Sequence, residues 1–86
     1  MQWQEIRDRY PHQWLLTEAL AARSERGERI LEDLAVLETY PDGVAAMNGY
    51  RALHRRAPQR ELYVLHTDRS NLEVTEVHWL GIRAAS

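Results

Sequence analysis

Three prolines divide this 86-residue chain into four pieces, and that division constrains its fold more than any other feature. Pro11, Pro41 and Pro58 each fall where the hydrophobic pattern changes. Proline has no backbone N–H to donate and pushes the residue before it out of the helical region, so each one ends an element. Two of the breaks are the pairs Tyr10-Pro11 and Tyr40-Pro41, whose isomeric state the sequence leaves open. In order, the pieces read as a short helix, a strand hairpin, a main helix and a second strand hairpin.

Residues 2–9 suit a short amphipathic helix, with Trp3, Ile6 and Tyr10 at i, i+3 and i+7 on one face. Two turns of helix are marginal alone, so that face must dock on something. Trp14–Ala22 and Arg29–Tyr40 read as paired strands, joined by the polar stretch Arg23–Glu28 with Gly27 supplying a positive φ. Leu34 and Val36 are expected on one face of the second strand, and Leu31 and Leu37 on the other. Asp42 is a good N-cap for a helix over 42–57, whose core stripe is Ala46, Tyr50, Leu53 and Ala57, with Val44 and Met47 beside it. Gly43 and Gly49 weaken this helix, with close approach of the sheet as the alternative role of Gly49. Arg60–Thr67 and Glu73–Arg83 form the second hairpin around Asp68–Asn71. Leu62, Val64 and His66 fall on one face of its first strand, and Tyr63, Leu65 and Thr67 on the other.

The expected fold is therefore α+β and a single domain over residues 1–86. A short N-terminal helix precedes β-hairpin–helix–β-hairpin, giving a four-stranded, mostly antiparallel sheet packed by one main helix. The strands carry apolar residues on both faces, whereas the main helix covers only one. Either the Trp3–Ile6 helix or a second subunit must cover the other, which makes a homodimer an expectation.

Composition narrows the chemistry. The absence of cysteine excludes disulfides, thiolate catalysis and cysteine-based metal sites. No apolar run approaches a membrane span, and the charged amphipathic start lacks a signal-peptide core, so a cytoplasmic protein without a membrane partner is expected. All eleven basic residues are arginine, which rules out a Schiff-base or P-loop lysine. Net charge is −2, so the whole chain exerts no bulk attraction on nucleic acid.

The densest positive cluster is Arg51, Arg55, Arg56 and Arg60, toward the end of the main helix. It suits either a phosphate or a solvated helix end that complements the dipole. Four histidines, His12, His54, His66 and His78, form none of the local pairs that mark metal sites. His66 and His78 could face each other across the second hairpin, with Glu76 or Glu18 as a third ligand. Glu18 interrupts an apolar strand and calls for an arginine partner or an exposed edge. No nucleophile elbow or phosphate loop is present, and neither catalytic residue, metal nor cofactor is expected. Trp3, Trp14 and Trp79 are many for this length, and such residues are enriched in interfaces.

The stretches Tyr10–Ala19, Arg60–Thr67 and Trp79–Arg83 resemble a group of small, cyanobacterial-type single-domain bacterial proteins, over nearly the whole chain. The resemblance implies an independent cytoplasmic domain and brings no assigned activity or functional residue. The expected function is a non-enzymatic protein-interaction or regulatory module that self-associates. Its surface is expected to hold Trp14, Tyr63 and Trp79, rimmed by Arg51, Arg55, Arg56 and Arg60. Nucleic-acid or nucleotide-phosphate binding through those arginines is the second reading. A small metal-dependent enzyme using His66, His78 and a carboxylate is the third.

Overall fold

A computed structural model describes residues 1–70, 72, 74 and 75. The chain is α+β. Its elements are α1 (Trp3–Arg9), β1 (Trp14–Glu25), β2 (Glu28–Tyr40), α2 (Gly43–Arg56) and β3 (Leu62–His66), followed by the two-residue β4 (Val74–Thr75). β1 lies between β2 and β3 in an antiparallel sheet, paired from Trp14↔Tyr40 to Glu25↔Glu28 on one side and from Trp14↔His66 to Glu18↔Leu62 on the other. β4 pairs with Glu28 and Arg29 at the far edge of β2 and is not a neighbour of β3. The second hairpin as expected does not appear among the described residues, and most of its return strand, 73–83, lies outside them. No described peptide bond is cis.

The first hairpin is longer than its sequence suggests. Only Arg26 and Gly27 form the turn, at φ 53° and 79°, and the polar residues on either side continue the strands. Two left-handed residues suit a tight hairpin because their twist matches that of the flanking strands. The ladder slips at three places along β1, between Leu16 and Thr17, Ala19 and Ala21, and Ala21 and Ala22. Glu32 is the extra residue at the last slip. It moves Leu31 onto the face of Leu34 and Val36, contrary to the expected alternation.

Each face of the sheet has its own helix. On one side Ile6 of α1 packs with Leu15, Leu34, Tyr63 and Leu65, bordered by Trp3, Tyr10 and Val36. On the other, Tyr50 of α2 packs with Leu16 and Leu62, bordered by Leu37, Met47, Leu53 and Val64. Adjacent strand residues point to opposite faces, so Leu15 and Leu16, or Leu62 and Tyr63, serve different layers. The apolar surplus of the strands is thus met within the chain by α1. Trp3 Nε1 donates to the Arg69 carbonyl (2.9 Å) and Arg7 Nε to that of Thr67 (3.0 Å), fastening this helix beyond β3. Met1 continues the attachment, its carbonyl accepting from Leu34 N–H at 2.9 Å.

Asp42 caps α2 as expected, with Oδ1 accepting from Ala45 N–H at 2.8 Å. Ala46 and Tyr50 are buried. Val44 is not on the core stripe. It is 73% exposed, because four and eight residues on from it stand Asn48 and Ala52, which belong to the outer face.

Candidate interaction surface

The seven residues expected to form one surface are distributed over several environments. Tyr63 is a core residue, 1% exposed, and its ring faces α1. It therefore offers no contact area to a partner. Trp14 is half-buried where β1 begins, against Gly43 of α2 and edge-on to His66 (ring centroids 5.0 Å apart). Trp79 lies outside the described residues.

Arg60 is engaged inside the chain. Its Nε and Nη2 meet Glu18 Oε2 and Oε1 at 3.0 and 2.5 Å, a bidentate pair from the start of the β3 segment to the middle of β1. This answers why a carboxylate interrupts an apolar strand. Next along the chain, Glu61 accepts a second bidentate pair from Arg29 (2.9 and 2.7 Å) and a hydrogen bond from the Tyr63 hydroxyl. Two consecutive residues of opposite charge thus tie the N-terminal end of β3 to both strands of the first hairpin. Charge-assisted, two-pronged bonds of this kind are directional as well as strong.

The hydrogen bonds from Arg60, aided by its positive charge, hold the Glu18 carboxyl below the usual range, outweighing the opposing effect of burial. A carboxyl whose folded pKa is depressed stabilises the fold above its unfolded pKa. That contribution disappears as pH falls through the folded value. Glu18→Gln should therefore lower the urea midpoint at pH 7, and the gap from the parent should close as pH drops below the ordinary value of 4.5. A gap of equal size at pH 7 and pH 3 would show that the carboxylate charge is not what the pair contributes.

Arg51, Arg55 and Arg56 all point outward. With Val44, Asn48 and Ala52 they form one exposed stripe along α2, at i, i+4, i+7, i+8, i+11 and i+12. No acidic residue occurs from Gly43 to Arg60, although the chain as a whole is net negative. Residues 43–60 therefore carry a net charge of +4 and the rest of the chain −6, which together give the −2 of the whole. Arg55 and Arg56 have no hydrogen-bond or ion-pair partner among the described residues. Behind the stripe, Tyr50 and His54 stack at 5.5 Å, and neither Tyr50 Oη nor His54 Nδ1 has a described partner.

The histidines are dispersed. His12, at φ 52°, places Nδ1 2.6 Å from Asp68 Oδ1, and His66 Nδ1 accepts from the Asp68 N–H at 3.0 Å. His78 lies outside the described residues, so the expected His66–His78 pair does too. Among the described residues, no three histidine or carboxylate groups assemble as a metal-binding set. No described helix is long and apolar enough to cross a membrane.

Sequence alone located the arginines but not their division of labour. Arg60 differs from the other three by facing Glu18, 42 residues away, and only the β1–β3 pairing reveals it. Neither a protein-family model, nor a curated protein, nor a solved structure matches the chain, so no residue role is carried over from a relative.

Proposed function

We propose that this chain is a small, non-enzymatic interaction module that recognises another protein through the outer face of α2. One observation carries the reading. The two sheet faces are filled by the chain's own helices, while α2 turns an exposed, acid-free arginine stripe to solvent. Arginine suits such a role because its planar guanidinium matches carboxylates in pairs. The aromatic centre expected for the surface gives way to Arg51, Arg55 and Arg56, with Trp14 half-buried beyond the N-terminal end of the helix. The same reading includes a cytoplasmic location, while self-association loses the uncovered sheet face that argued for it.

Phosphate recognition is the second reading, favoured by three exposed arginines on one helix face. Against it stand the net charge of −2 and the internal engagement of Arg60.

The test is comparative capture from nuclease-treated lysate of the native host. The parent protein is compared with a variant carrying Arg51→Glu, Arg55→Glu and Arg56→Glu. A stoichiometric protein retained by the parent and lost from the variant is expected. Identical captures by both proteins, with unchanged circular dichroism, would remove α2 as the binding face.

A further inference from the structure

We infer that the outer face of α2 docks an acidic amphipathic helix of another protein, laid antiparallel to α2. The inference rests on the reading of α2 as the binding face and names what occupies it.

Charge selects the partner's sign. Four arginines and no acid lie between Gly43 and Arg60, and three of the four reach solvent on one stripe. The pattern of that stripe selects a protein over a nucleic acid. Val44, 73% exposed, and Ala52 lie in line with the arginines, so the face offers apolar contact between its charges. A polyanion extending past this helix would meet the acidic remainder of the chain, which repels it.

A second copy offers no acidic helix. Two α2 faces would oppose arginine to arginine. α1 carries Glu5 and Asp8 against Arg7 and Arg9, with no charge excess to offer.

Spacing suits a helix. The row Val44, Asn48, Ala52, Arg56 advances four residues at a time, about 6.0 Å per step and about 18 Å in all. A facing helix presents side chains at the same interval, as ridges packed into grooves require. Alternate residues of an extended strand recur every ~6.7 Å and drift about 2 Å out of step over the row. Polarity sets the direction. The arginines sit toward the C-terminal end of α2, and carboxylates are most at home in the first turn of a helix. An antiparallel partner brings its acidic N-terminal turn to Arg55 and Arg56 and its apolar residues toward Val44 and Ala52.

The probe is a labelled peptide of roughly 16 residues, long enough to span the stripe. It carries glutamates in its first two turns and leucines on one face. Fluorescence anisotropy at low salt is expected to show binding. Arg55→Glu with Arg56→Glu in the protein should weaken it about tenfold, since two exposed pairs are replaced by repulsion. Exchanging the facing glutamates of the peptide for arginine should restore it. Both protein positions are exposed, so unchanged circular dichroism verifies that the variant folds. Equal binding of the same peptide interrupted by two prolines would overturn the helical occupant and leave an acidic protein partner standing. Tighter, steeply salt-dependent binding of a single-stranded RNA oligonucleotide would overturn the partner class. If no acidic peptide binds while host capture still separates parent from triple variant, this inference fails and the interaction module survives.

Discussion

Replacing Ile6 with alanine should lower the unfolding free energy by about 3 kcal/mol, within the range for truncating a buried branched side chain. Ile6 is the buried residue of α1, fully enclosed by Leu15, Leu34, Tyr63 and Leu65. The helix has seven residues and cannot hold itself in water, so its stability comes from that docking. A domain of this size is held by about 4–13 kcal/mol in total, which makes the loss a large fraction. The remaining tethers, from Trp3 to Arg69 and from Arg7 to Thr67, keep α1 near the sheet but do not refill the space left at Leu34. Urea unfolding of Ile6→Ala beside Gln4→Ala, on the exposed side of the same helix, isolates the effect. The second variant should stay within a few tenths of a kcal/mol of the parent. A loss below 1 kcal/mol for Ile6→Ala would mean that α1 does not close that face of the sheet.

This helix is also where local reading of the chain served best. Trp3, Ile6 and Tyr10 recur with helical period, Pro11 stops the run, and all three residues pack on the sheet. Asp42 and Pro58 bound α2 for equally local reasons, a side-chain acceptor for an orphan N–H at one end and a missing donor just past the other.

Features that depend on a distant partner were not legible. The slip that turns Leu31 toward Leu34 exists only because Glu32 has no opposite number on β1. A strand read alone shows unbroken alternation. Tyr63 sits in an apolar strand covered on both faces, where alternation cannot separate an aromatic facing a helix from one facing a partner. The role of Arg60 required β1 and β3 to be neighbours, although the need of Glu18 for a partner was visible in its setting. For the same reason the four arginines look alike in the sequence, and the fold divides them. One member belongs to the fold, and three are exposed on α2.

The second large effect lies under α2, at Gly49. A Cβ there would overlap Tyr40 Oη and stand 2.5 Å from Cζ, where ordinary contact begins near 3.4 Å. Gly49→Ala should by propensity alone strengthen the helix by about 1 kcal/mol. Against that, the tyrosine ring cannot bend. It must leave its place against the Leu16, Tyr50 and Leu62 cluster or lift α2 off the sheet, and overpacking of this kind costs roughly 1–3 kcal/mol. Propensity offsets only part of the displacement of an entire ring, so the net result should be a loss of about 1 kcal/mol. Burial, with Glu38 nearby, holds the Tyr40 phenol above its ordinary pKa, and in Gly49→Ala its ultraviolet titration should move back toward 10.0. A double-mutant cycle separates the two terms. With Tyr40→Ala already present the obstruction is gone, and Gly49→Ala should then stabilise the protein by about 1 kcal/mol, the propensity term alone. The sign of the alanine effect thus reverses with the residue at 40. A Gly49→Ala change that is equally favourable in both backgrounds would mean that the Tyr40 ring does not lie over the glycine.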